Sequence, residues 1–163
     1  MIKTLKELDQ IRDECKSMVT SRSAMSAGAA ALPVPGVDVA ADLALLTTML
    51  PDISRRFELD PESMAKYDPR VAEKIIVIAT SIGSQLIGKL ITKELLLTIL
   101  KRIGIRVTTR TVAKYVPFLG TAVAASISFG AMKLIGNGHV DDCYNTVRRL
   151  LEDEGGDAMP ATV

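Results

Sequence analysis

Few residues in this 163-residue chain have the type and spacing that chemistry requires. Gly83-Ser-Gln-Leu-Ile-Gly88-Lys89-Leu90 matches the Gly-x-x-x-x-Gly-Lys part of a phosphate-cradling loop. Such a loop wraps backbone amides around phosphates and uses a following Ser or Thr to hold Mg²⁺. Leu90 replaces that hydroxyl, and the run lies inside an apolar helical pattern instead of after a strand. It reads as helix, not as a nucleotide site. His139 is the single histidine, so one chain builds neither a His-based triad nor a multi-histidine metal site. Its place is the border or cap of the last helix. Asp38 and Asp42, four apart, have the spacing to share a cation, but one helix cap plus one salt-bridge partner explains them more simply. Cys15 and Cys143 have no metal or disulfide spacing and fall on the apolar sides of their helices, as small buried hydrophobes in a reducing compartment.

One charge pattern asks for a partner. Arg102, Arg106, Arg110 and Lys114 recur every four residues and form one helical stripe. Residues 71–114 hold eight basic and two acidic groups, although the whole chain carries only +1. A solvated surface explains such a stripe. An anionic membrane surface or an acidic partner protein would use it, because uncharged helices flank it on both sides. Nucleic acid is excluded as partner by the small net charge and the lack of stacking aromatics. No residue set calls for a cofactor, and no enzyme class is indicated.

These residues must be carried by helices. There is no Trp, with three Phe and three Tyr, and 48% of residues are apolar, so the core is aliphatic. A chain of this length buries about two-thirds of its unfolded surface as one domain. The mean hydropathy of +0.25 beside 24% charged residues requires the two classes to be segregated. Ile2, Leu5, Leu8, Ile11, Cys15, Met18 and Val19 set a helical period over residues 2–31, ending in small residues that allow close helix approach. Charges in its first two turns leave no secretory signal visible, and a cytoplasmic location, with membrane association as an option, follows. Val39, Leu43, Leu46, Leu50, Ile53 and Phe57 form a 4-3-4-3-4 seam that keeps phase across Pro51, predicting a kinked continuous helix. Asp60-Pro61 and Asp68-Pro69 are two helix starts with an aspartate cap and a first-turn proline. The glycines predict a break near residues 88–91, with another helix at about 91–102. The β-branched run in 105–115 leaves a strand open there, although the basic stripe favours helix. Gly136-Asn137-Gly138 predicts a stop before a last helix over 139–153, with Val140, Tyr144, Val147, Leu150 and Leu151 inward.

The most distinctive feature is a repeated elbow. Pro33-x-x-Gly36-x-x-Val39-Ala40-Ala41-x-Leu43 returns 84 positions later as Pro117-x-x-Gly120-x-x-Val123-Ala124-Ala125-x-Ile127. Pro33, Pro35 and Gly36 end one helix and Asp38 caps the next, while Pro117 and Gly120 do the same in the second copy. The two elbow helices are expected to touch or to occupy equivalent places. The sequence thus predicts an all-α compact bundle of about six to eight helices with two proline-glycine elbows, a single domain over 1–153 and a disordered tail over 154–163. Uncharged runs of 15, 14 and 18 residues (23–37, 75–88 and 115–132) are short for membrane spans, which need about 20.

Three stretches carry a family resemblance: Ser26 to Leu46 through the first elbow, Arg56-Phe-Glu-Leu-Asp-Pro-Glu-Ser63, and Val116 to Gly130 through the second. Together they resemble the C-terminal helical domain of the immunity-related (interferon-inducible) GTPases and the related helical domains of bacterial membrane-associated GTPase-like proteins. The resemblance covers about residues 20–152. It implies an all-α module that couples a GTPase to membranes and oligomers. The chain has no P-loop, switch or guanine-reading motif, so nucleotide hydrolysis is not carried over. Family members usually show glycine where this chain has Glu58. The reading is a non-enzymatic helical module for membrane association and/or oligomerisation, with a homo-oligomer as one form. The alternatives are a membrane-inserting effector or pore-former stored as a soluble bundle, or an adaptor to a separate GTPase.

Overall fold

A computed structural model describes residues 2–30, 37–84, 86–92, 94–98 and 117–156. The chain divides into two compact units, one of residues 1–16, 51–90 and 138–163, the other of residues 17–50 and 91–137. Among the described residues the helices with full bounds are α1 (Leu5–Ala30), α2 (Val37–Arg56), α3 (Pro61–Met64), α4 (Pro69–Ser81) and α5 (Pro117–Gly156). Residues 94–98 are helical as well, and no strand occurs among the described residues. The all-α expectation is met; among the described residues there are five bounded helices and the helical residues 94–98, against the six to eight expected for the chain. The β-branched run falls outside the described residues.

The first unit is built on clear local signals. Asp60 and Asp68 accept bonds from the amides of Ser63 (3.3 Å) and Arg70 (2.9 Å), each just before a helix-opening proline. Helices α2 and α4 end in the same device. In α2, the Leu59 amide bonds the Ser54 carbonyl (2.8 Å) and the Glu58 amide bonds that of Arg55 (3.0 Å). In α4, Ser84 and Gly83 repeat the pattern on Ala79 (2.9 Å) and Thr80 (3.0 Å). This is the Schellman cap, whose middle residue must turn left-handed. Gly83 does so at φ 84°, and Glu58 at φ 56°. The glycine expected by resemblance at position 58 is thus a backbone requirement, met here by a strained glutamate. The Tyr67 hydroxyl donates to the Glu58 carboxylate (3.0 Å) and carbonyl (3.1 Å) and helps to hold it. The core of this unit includes Leu8, Cys15, Ile53, Phe57, Leu59, Ile75, Ile78, Val140, Val147 and Leu150.

In the second unit, Val19, Leu46, Met49, Leu50, Leu96 and Met132 are buried. Pro51 lies inside α2, which passes through it as the seam requires. Two expectations are corrected. Gly136-Asn137-Gly138 does not stop a helix, because α5 runs unbroken from Pro117 to Gly156. Gly136 is a point of close helix approach instead. A Cβ added there would meet Val19 Cγ1 at 2.7 Å and Met49 Cε at 2.9 Å. Packing at this point outweighs glycine's low helix propensity. Helix α4 ends earlier than expected, at the cap after Ser81, and the expected break at 88–91 lies within the non-helical residues before 94–98. Residues 154–156, assigned to the tail, are helical, and the remainder of that tail lies outside the described residues.

Candidate functional site

Two polar clusters lie among aliphatic helices, one in each unit. In the second unit, the half-buried carboxylate of Asp42 on α2 accepts from Ser26 on α1 and from Ser128 on α5. Ser128 Oγ lies 2.8 Å from both carboxylate oxygens, and the two serine hydroxyls are 2.7 Å apart. One carboxylate therefore ties three helices together. The two elbow helices, α2 and α5, touch here, and Ala41 and Ala125 are each half-buried. Asp42 is thus an internal hydrogen-bond acceptor rather than a surface ion-pair partner. Its hydroxyl partners are short and fixed, the arrangement that makes a buried polar group bearable.

In the first unit, His139 is 2% exposed and its Nε2 lies 2.8 Å from Ser54 Oγ. Cys143 Sγ is 3.8 Å from the same nitrogen, one helical turn along α5. His139 is a core residue within α5, not a border or cap, because that helix does not end at Gly138. A hydroxyl bonded to an imidazole is the start of a nucleophilic pair. Here both side chains are buried, so a substrate would have to enter the core to reach them. The pair closes a polar contact between α2 and α5. Burial pushes the Cys15 thiol up to about 11 and that of Cys143 well above its ordinary value, so both stay protonated and inert. The two cysteines are buried and free, as their spacing implied. Among the described residues, no group of three His, Cys, Asp or Glu side chains could hold a metal.

The remaining predicted positions are placed as follows. Pro33, Pro35 and Gly36 lie outside the described residues, and so do Arg102, Arg106, Arg110 and Lys114. Asp38 is the second residue of α2, Pro117 opens α5, and Gly120 belongs to its first turn. Gly83 caps α4, and Gly88 (φ 70°) sits against Ile76 Cδ1, so the phosphate-loop match is two ordinary turns. No helix among the described residues is long and apolar enough to cross a membrane.

The surface feature missed in the sequence is on α4. Its run Ile75-Ile-Val-Ile-Ala79 buries Ile75, Ile78 and Ala79, yet leaves Ile76 42% and Val77 62% exposed. The signal was available: five consecutive apolar residues cover more than the single face that a helix turns inward.

Over 157 residues the chain is 30% identical to a bovine protein named interferon-inducible GTPase 5, covering 93% of this chain and 34% of that protein. The rat protein of the same name is 29% identical over 149 residues, covering 90% of this chain and 32% of its own length. The chain resembles a non-GTPase region of an immunity-related GTPase. It spans about a third of the length of these relatives. No protein-family model and no solved structure matches it. The resemblance to immunity-related GTPases read from the elbows therefore extends over nearly the whole chain.

Proposed function

We propose that this chain is a non-catalytic helical module that works by association, pairing with further copies of itself and lying against anionic membrane. The observation that carries the reading is the exposed Ile76–Val77 pair on α4, apolar surface that its own unit leaves uncovered. Full burial of such a side chain contributes about 1.5–3 kcal/mol, and the exposed parts of Ile76 and Val77 forgo roughly half of that each, which a partner would recover in part. The membrane half is supported by the four-residue spacing of Arg102, Arg106, Arg110 and Lys114. An adaptor role toward a GTPase-bearing chain is a second reading, supported by relatives that carry GTPase in their name and are three times as long.

Light scattering over a concentration series, run with vesicle flotation with and without anionic lipid, tests the proposal. Concentration-dependent association that Val77→Lys weakens is expected, together with flotation that Arg102→Glu/Arg106→Glu/Arg110→Glu/Lys114→Glu abolishes. A chain that stays monomeric and does not float overturns it.

A further inference from the structure

We infer that the α4–α5 face is self-complementary and pairs antiparallel with the same face of a second copy across a two-fold axis. The inference rests on the association reading above and specifies its geometry. Asn145, Arg148, Arg149, Glu152 and Asp153 recur at i, i+3, i+4, i+7 and i+8 on α5, and all are exposed, while Cys143, Thr146, Val147 and Leu150 face inward. The outward stripe is therefore two cations followed, one turn later, by two anions. Reversing the helix about the point between Leu150 and Leu151 sets Arg148 opposite Asp153 and Arg149 opposite Glu152. A two-fold axis makes each pairing twice, the definition of an isologous contact.

Helix α4 supplies the apolar part of this face. Lys74, Val77 and Ser81 recur at i, i+3 and i+7. Both flanking members are tied to α5: Lys74 Nζ lies 3.5 Å from Asp153 Oδ2, and Arg149 Nη1 donates to Ser81 Oγ at 3.2 Å. The exposed Val77 between them is thus bordered by charges. Along the α5 stripe, Ile82, Asn145, Arg148, Arg149 and Glu152 line a concavity of about 420 Å³. An apolar anchor within a polar rim is the usual composition of a protein interface.

Charge balance chooses the occupant. Lys74, Arg148 and Arg149 stand beside Glu152 and Asp153, so the face is mixed in sign and suits a partner with the same mixed pattern. A uniformly acidic segment or an anionic lipid surface would meet its carboxylates. The pairs within the chain, such as Arg148 Nε to Glu152 Oε1 at 2.8 Å, leave capacity for pairing between chains. A guanidinium has five N–H donors and a carboxylate about four acceptor sites.

Sedimentation equilibrium of the full chain tests this with two charge reversals, Arg148→Glu/Arg149→Glu and Glu152→Arg/Asp153→Arg. Each reversed chain alone is expected to associate at least about tenfold more weakly, and an equal mixture of the two is expected to recover association as a heterodimer. Far-UV circular dichroism verifies that each is folded. The neutral Arg148→Gln/Arg149→Gln chain and weakening of the native dimer by added salt give a second readout if a reversal does not fold. Association that Val77→Lys weakens but neither reversal touches, or that mixing does not restore, overturns this geometry and leaves the association reading standing. Anionic-vesicle binding lost on Arg148→Glu/Arg149→Glu, with self-association intact, assigns the face to lipid and also overturns it. A native chain that is monomeric throughout removes both.

Discussion

Gly136 and Gly138, two positions apart in α5, are expected to respond oppositely to the same substitution. Replacing glycine by alanine inside a helix stabilises it by about 1 kcal/mol, and both sites receive this gain. At the exposed Gly138 a new Cβ meets nothing within 4 Å, so Gly138→Ala is expected to stabilise by the full amount. That corresponds to a rise of roughly 2–4 °C in Tm for a chain of this size. At Gly136 the same atom lies 2.7 Å and 2.9 Å from the two methyls of Val19 and 2.9 Å from Met49 Cε. The methionine methyl can swing away. Val19 cannot, because a β-branched residue in a helix is held in essentially one χ1 rotamer. Overpacking of this kind costs about 1–3 kcal/mol. The propensity gain is common to both variants, so the difference between them isolates that overpacking cost. Urea unfolding followed by circular dichroism measures it, with the double variant Val19→Ala/Gly136→Ala as the check that relief of the contact restores stability. Equal stabilisation by the two single variants would refute the close approach of α1, α2 and α5 at Gly136.

Further outcomes follow from the caps, the polar cluster and the buried thiols. A left-handed residue other than glycine costs roughly 1–2 kcal/mol. Glu58→Gly is therefore expected to be more stable than the native chain by up to about 1 kcal/mol, after loss of the Tyr67–carboxylate bond, and Glu58→Ala less stable. Reversal of that order in thermal melts would show that the carboxylate outweighs the backbone strain. Asp42→Ala removes an acceptor that ties three helices and is expected to cost about 1.5–3 kcal/mol. A double-mutant cycle with Ser128→Ala should show strong coupling, and additive losses would contradict the shared cluster. Burial raises the Cys15 thiol from 9.0 to about 11. The folded state then holds its proton more tightly than the unfolded state. This contribution to stability is complete below pH 9 and is lost between pH 9 and about 11. Replacing Cys15 by Ala should flatten that part of the stability–pH curve. In the native chain, alkylation of either thiol should wait for unfolding, and labelling at the rate of a free thiol would contradict the burial.

Much of the fold was legible because local signals and packing agreed. The Asp-Pro starts at 60–61 and 68–69 use short-range hydrogen bonds that any context preserves. The seam through Leu46, Leu50, Ile53 and Phe57 reports a face that has to be buried. Gly136-Asn137-Gly138 misled for the complementary reason. Propensity within a tripeptide is a local property, whereas the close contact with Val19 and Met49 involves residues more than eighty positions away in sequence. His139 followed the same error, because its core position depends on α5 continuing through those glycines. The Asp42 cluster was hidden as well: Asp42 falls beside the heptad seam, and nothing near it in sequence announces Ser128 as its partner. Glu58 shows the opposite gain, since a departure noted only by resemblance acquired a cause once its φ of 56° was seen.

The central claim, that this chain works by association through the α4 face, is tested most directly by sedimentation of the native chain and Ile76→Ser/Val77→Lys. The native chain is expected to associate as its concentration rises. The variant is expected to remain monomeric with the same helicity by far-UV circular dichroism. A monomeric native chain, or a variant that associates as the native chain does, contradicts it.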